Sequence, residues 1–188
     1  MAVRSVLATL ILLFVAALTQ AQVTYDELTD GDLGDPASPT ALGFLGLGTS
    51  SVTGTLDNPA SFDADSFTFS VANGQQLTNV YFSSMTGLNH YFALNEGSVD
   101  TGNGPANFVS TLISSTDVMT NILDGTINDL GGSGVTNPLE AGTYQIWFQE
   151  TDGSSVDYSI NLQTVAVPEP VGLTLLFLGV IGALFHRR

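Results

Sequence analysis

The stretch Ser66-Phe67-Thr68-Phe69-Ser70-Val71 alternates polar and apolar residues without a break. A period of two is the repeat of a half-buried β-strand, and it sets Phe67, Phe69 and Val71 on one face. A helix of the same residues would scatter them around its axis. The pattern returns in Thr143–Glu150, with Tyr144, Ile146 and Phe148 to one side, and in Val156–Val165, with Tyr158, Ile160 and Leu162. Ser51–Leu56, Leu77–Met85, Tyr91–Asn95 and Phe108–Ile113 are further strand candidates. Asn73-Gly74 and Asp152-Gly153 are turn signals. They predict that Ser66–Val71 pairs with Leu77–Met85 as a hairpin across Ala72–Gln76, and that Val156–Val165 returns after Thr143–Glu150. Asp117–Ile127 is less regular: Val118, Ile122 and Leu123 would share a helical face, which admits a short helix. Short strands with one apolar face each, separated by Gly, Asn and Asp turns, predict an all-β fold, a single antiparallel β-sandwich. Its core should hold Phe67, Phe69, Tyr144, Ile146, Phe148, Tyr158 and Ile160.

The two ends of the chain read differently. Met1–Ala21 has Arg4 ahead of an apolar run from Val6 to Leu18, then the small-x-small triplet Thr19-Gln20-Ala21. That is the layout of a secretory signal peptide, and cleavage would leave Gln22 as the first residue; a retained anchor is the alternative. At the other end Val167-Pro168-Glu169-Pro170 precedes the uncharged run Val171–Phe185 and the basic close His186-Arg187-Arg188. The prolines oppose helix, whereas the run favours it. As a transmembrane helix, 171–185 would span about 22 Å of a hydrocarbon core of roughly 30 Å. Snorkelling arginines and local thinning can close that gap, with Arg187 and Arg188 on the cytoplasmic side. A buried C-terminal helix is the alternative. Residues 40–165 remain for the sandwich, preceded by an acidic, extended, turn-rich lead-in over 22–39.

Charge narrows the function classes. The only Lys or Arg residues are Arg4, Arg187 and Arg188, all in the end segments. All 18 acidic residues except Glu169 fall between Val23 and Ala166. Such a segment repels nucleic acid and anionic lipid, and it attracts cations and basic surfaces. With no cysteine, an exported chain draws its stability from its core or from bound metal.

The ending resembles the PEP-CTERM sorting signal of exported bacterial proteins: Val167 and Pro168-Glu169-Pro170, then the apolar helix, then Arg187-Arg188, in that order. The resemblance implies a Gram-negative-type cell that makes exopolysaccharide. It also implies processing near the tripeptide by an exosortase-type membrane transpeptidase, with transient anchoring in the inner membrane before the chain reaches the cell surface or extracellular matrix. The middle is similar to bacterial pre-peptidase C-terminal domains. The matching stretches are Asp63-Ala64-Asp65-Ser66-Phe67-Thr68-Phe69-Ser70-Val71 with Gly74-Gln75, Ala141-Gly142-Thr143-Tyr144 leading to Trp147 and Gln149, and Asp157-Tyr158-Ser159-Ile160. That similarity covers roughly Thr40–Val165 and implies a small jelly-roll-like sandwich serving as an accessory or adhesive module. The chain departs from the family by a longer segment between Asn95 and Pro138.

Candidate sites are few. Between the end segments there is one histidine, His90, and neither a Gly-x-Ser-x-Gly elbow nor a His-Glu-x-x-His motif. The sequence therefore predicts a non-enzymatic protein, with a small carboxylate-dependent, glycosidase-like hydrolase as the rival. Two clusters supply the oxygen ligands that Ca²⁺ takes: Asp30, Asp32 and Asp35, and Asp57, Asp63 and Asp65. Neither has the EF-hand spacing, and both also suit a solvated, turn-forming acidic surface. Strict alternation puts Trp147 with Gln145 and Gln149, opposite the core face. There its ring would stack on a sugar, or be covered by a loop or by Asp117–Ile127.

Overall fold

A computed structural model describes residues 20–56, 63–99, 107–127, 130–151 and 153–168. The expected signal peptide, apart from Gln20 and Ala21, lies outside them, as do the apolar run 171–185, Asp57, Glu169, Pro170, Arg187 and Arg188. No helix among the described residues is long and apolar enough to cross a membrane.

Nine strands are described: β1 (Thr24–Asp26), β2 (Thr40–Phe44), β3 (Gly48–Leu56), β4 (Ala64–Val71), β5 (Gln75–Met85), β6 (His90–Glu96), β7 (Val109–Ile113), β8 (Gly142–Gln149) and β9 (Val156–Ala166), with one short helix, α1 (Glu27–Asp30). They form two sheets, ordered β1-β3-β9-β5 and β2-β4-β8-β6-β7. The seven residues expected in the core are all buried between them, with Leu77, Val80, Phe82, Phe92, Leu94 and Leu162 added. Phe82, Phe148 and Tyr158 meet at its centre, with ring centroids 4.9–6.4 Å apart in tilted and edge-on pairs.

The all-β sandwich holds, but the sheets are mixed rather than purely antiparallel. β1 runs parallel to β3, and β2 runs parallel to β4. Both parallel strands are edge strands drawn from the N-terminal part of the chain. Part of the acidic lead-in is thus a strand and a helical turn of the sandwich. Val23 and Tyr25 pack against the core, but three strand residues are too few to stand out from their acidic neighbours.

The expected hairpin also needs correction. A turn does form after β4, where the Gln75 amide donates to the Ala72 carbonyl at 3.0 Å and Gly74 takes a φ of 78°. Yet β4 and β5 belong to different sheets. The chain arches across the core, and the two strands stack face to face. β8 and β9 are split in the same way: β8 pairs with β4 and β6, while β9 pairs with β3 and β5. An amphipathic strand looks the same whether its neighbour in sequence lies beside it or opposite it.

Asp117–Ile127 holds no α-helix. It contains a 3-10 turn at Ile122–Asp124, preceded by another at Ser115–Asp117. Asn121 replaces helical bonding with bonds to the β5 edge: its Oδ1 accepts from the Val80 amide at 3.2 Å, and its Nδ2 donates to the Thr78 carbonyl at 3.1 Å. This side chain thereby occupies two polar groups of the β5 edge, and the Met119 amide takes a third, the Phe82 carbonyl, at 2.8 Å.

All strands run between two poles. The starts of β4, β6 and β9 lie at the same pole as the ends of β3, β5 and β8, by their pairing. That pole gathers Glu27, Asp32, Asp63, Asp65, Glu150 and Asp157.

Candidate metal centre

Asp65 lies one turn of the alternation before Phe67, so the parity of β4 points it inward between the sheets. Only 1% of its surface is exposed. Tyr158, inward from β9, donates its hydroxyl to Asp65 Oδ2 at 2.6 Å and so ties the two sheets together. Asp65 Oδ1 is buried without a hydrogen-bond partner. Nothing of opposite charge is at hand, because the segment has no Lys or Arg. A buried polar atom left unsatisfied costs free energy, the more so if charged. The carboxyl responds by holding its proton: burial pushes its pKa from 3.8 up to about 8, against the pull of the Tyr158 hydrogen bond, and Glu27, Asp63 and Asp32 add repulsion.

Glu27 closes the site from α1. Its Oε2 accepts from the Thr55 amide at 2.7 Å, and its Oε1 accepts from the Leu33 amide at 3.1 Å. These bonds hold α1 and the loop after it on β3. Burial raises the Glu27 pKa, while the two backbone donors oppose the rise and Asp32 and Asp63 favour it. The Asp26 side chain caps α1 by accepting from the Leu28 amide. The exposed Asp32 completes the group: Glu27, Asp32 and Asp65 each offer an oxygen, all within 4.8 Å of one another. Gly54 leaves room for them, since a Cβ there would stand 2.5 Å from both Glu27 Oε2 and Tyr158 Oη.

Three carboxylates converging on one point, one of them with a buried orphan oxygen, form a hard-oxygen donor set. Ca²⁺ suits such a set, taking further oxygens from backbone and water. A divalent ion would also replace the proton that Asp65 otherwise retains.

The site takes one residue from each aspartate cluster: Asp32 from the first and Asp65 from the second. Asp30 and Asp35 serve the backbone instead. Asp30 Oδ2 accepts from the Asp26 amide, and Asp35 Oδ1 accepts from the Ala37 and Ser38 amides, each at 2.9 Å. Asp63 accepts from the Ala64 amide and stands beside the group, and Asp57 lies outside the described residues. Glu27 was not legible as a ligand. Its partners Leu33 and Thr55 are separated from it by up to 28 residues, and its one local mark is a longer side chain within a run of aspartates. Glu150 escaped notice too: it is 1% exposed, its Oε1 takes the Gly153 amide, and its Oε2 is buried without a partner.

Trp147 does not offer a stacking face. It is 9% exposed and packs with Tyr91, Ala93 and Val99, with Leu130 alongside. Its ring centroid is 4.7 Å from that of Tyr91, in an edge-on arrangement. The cover is a loop, while Ile122 and Leu123 join the main core instead. His90 is fully buried, with its ring edge-on to Phe148. At the other pole a cleft of about 290 Å³ is lined by Glu96, Phe108, Leu139, Glu140 and Tyr144 among others. Tyr144 points its hydroxyl there to the Glu140 carbonyl at 2.8 Å.

No family model matches the sequence, and no curated protein does. Solved structures similar in outline include two of note. One is a pre-peptidase C-terminal domain of collagenase from Bacillus anthracis, at 13% identity and a TM-score of 0.37, covering 79% of this chain and all of that one. The other is a mutant of PliG, a periplasmic inhibitor of g-type lysozyme from Escherichia coli, at 15% identity and a TM-score of 0.36, covering 67% of this chain and 99% of that one. Likeness at this level carries no argument about activity, and the sandwich rests on its own strand pairing.

Proposed function

We propose that this chain is an exported, non-enzymatic protein of the cell surface or extracellular matrix, associated with exopolysaccharide and holding a divalent cation, Ca²⁺ by its donor set, at its acidic pole. The observations that carry the ion are the grouping of the Asp65 carboxyl with those of Glu27 and Asp32, and the buried, unpartnered Oδ1 on that same Asp65 carboxyl. The tail Val167–Arg188 supports the destination, with an exosortase-type transpeptidase as the processing partner and the inner membrane as the transient anchor. An acidic sandwich can meet an anionic polysaccharide through a bridging cation, which offsets the repulsion of like charges. The segment Gln22–Ala166, which contains every described strand, should be retained on the host's exopolysaccharide with Ca²⁺ and released by chelator. No reducing ends should appear. Steady release of reducing ends, lost when a carboxylate pair is changed to amides, would establish a hydrolase and overturn this reading.

A further inference from the structure

The pole opposite the acidic one gathers features of a different kind. The Gln22 side chain donates to the Leu47 carbonyl at 3.3 Å, and the backbone of Gln20 and Ala21 lies against Gly46. The Val167 amide donates to the Gly74 carbonyl at 2.8 Å. The chain therefore enters and leaves the sandwich at one pole, and the sequences beyond these points are the apolar runs Val6–Leu18 and Val171–Phe185.

Three large apolar side chains are exposed near the exits. Phe44 is 56% exposed, Leu47 45% and Val165 40%. Leu47 directly precedes Gly48, the partner of Thr164 in the antiparallel ladder, and Val165 directly follows Thr164, with Phe44 three residues upstream of Leu47 at the end of β2. Charge is divided accordingly. The carboxylates of the metal centre, with Asp63, Glu150 and Asp157, sit at the far end of the same strands. Glu96 lies at the near end of β6, away from β2 in its sheet, while Glu140 marks the margin of the apolar surface, accepting from Gln76, the β5 partner of Val165, at 2.7 Å.

We infer that the pole carrying Phe44, Leu47 and Val165 rests on a lipid bilayer while the tail tethers the chain, so that the metal centre points away from the membrane. This rests on the reading that 171–185 enters a membrane. Exposed Phe and Leu side chains gain by burial at the headgroup–acyl boundary, and an anionic leaflet repels the acidic pole, so both forces select one orientation. A tether leaving from the apolar pole keeps that pole within reach of the surface.

The chain has no cysteine, which makes single-site labelling clean. Phe44→Cys and Leu47→Cys report on the apolar pole. Leu28→Cys and Leu88→Cys, both at exposed positions of the acidic pole, serve as controls. Each full-length variant would carry an environment-sensitive fluorophore and be reconstituted into phosphatidylcholine vesicles, with and without phosphatidylglycerol. The labels at 44 and 47 should shift to the blue and lose emission to nitroxide lipids placed in the bilayer. Those at 28 and 88 should lose emission to aqueous iodide alone. If the chain floats with vesicles while all four labels behave like the controls, the tether stands and the orientation is wrong. If the chain does not float, the membrane reading of the tail fails, and the orientation with it. If the labels at 44 and 47 respond to protein concentration without lipid, the pole belongs to a second copy, which also overturns the proposal.

Discussion

Tyr158 donates a 2.6 Å hydrogen bond to one oxygen of Asp65 and leaves the other oxygen buried without a partner. The pair joins the two sheets at the acidic pole, so the candidate metal site is built into the packing of the sandwich. Asp65→Asn should keep an oxygen for Tyr158 and remove the charge a cation needs. The variant should fold, lose the Ca²⁺-induced rise in melting temperature, and be as stable as the parent or more so without Ca²⁺ at pH 8. The rise itself follows from mass action on the folded state. It should exceed that from Na⁺ at equal ionic strength, since equal effects would reflect screening alone. A parental Ca²⁺ response in the variant would remove Asp65 from the site.

The calcium-free protein should lose stability as pH rises. Asp65 binds its proton more tightly folded, at about 8, than at its ordinary 3.8. Its contribution is therefore fully present below about pH 4 and is lost as pH climbs through 8, at up to about 1.4 kcal/mol per unit for one group. Glu27 is shifted in the same direction. Ca²⁺ competes with that proton, so its stabilising effect should grow between pH 5 and pH 8. Thermal melts with Ca²⁺ and with chelator across this range check the sign. A Ca²⁺ effect that shrinks with pH would contradict it.

Gly54 has no left-handed backbone to explain it. What it supplies is space beside Glu27 Oε2 and Tyr158 Oη. Gly54→Ala should push the Glu27 carboxylate off its bond to the Thr55 amide at a cost of about 1–3 kcal/mol, typical of overpacking. The Ca²⁺ response should fall with it. Calorimetric titration of folded Gly54→Ala with Ca²⁺ measures that loss directly, and unchanged affinity would place the ion elsewhere.

The alternation of Phe67, Phe69 and Val71, and of Tyr144, Ile146 and Phe148, was enough to read strands, inward faces and core residues. Burial of one face is a local property with a local signature. Which strand lies beside which is not local. β4 and β5 satisfy the same pattern as hairpin partners or as opposed layers, and the Ala72–Gln75 turn serves either. The candidate metal site failed to show for the same reason. Asp32 and Asp65 belong to separate clusters, and Glu27 reaches them only because β1 docks beside β3. Trp147 was legible as facing away from the core, but its loop cover came from Val99 and Leu130, which no periodicity links to it.

The tail can be tested independently of the sandwich. Replacing Pro168 and Glu169 by alanine in the host cell should leave a heavier, membrane-retained form, because the segment before the apolar run is where processing is proposed. Fractionation and immunoblotting separate the two forms. A variant released at the parental size would show that Pro168-Glu169-Pro170 is not a processing signal.

Asn121 offers a test of what protects the β5 edge. Its amide takes the Val80 N–H and the Thr78 carbonyl on the outer side of β5, and it holds Asp124 Oδ1 at 2.9 Å. Asn121→Ala would strip both backbone groups of their partner, costing about 1–3 kcal/mol for each group that stays buried. Water can reach a freed edge and lower that cost, but a freed edge is also a template for another strand. The variant should therefore melt earlier and, at high concentration, sediment as more than a monomer. Asn121→Asp would keep the acceptor for Val80 but turn an oxygen on the Thr78 carbonyl and on Asp124 Oδ1, so it should be no more stable than the alanine variant. Its added negative charge should hold the copies apart. If Asn121→Ala melts and sediments like the parent, the β5 edge is protected by the surrounding loop and not by this side chain.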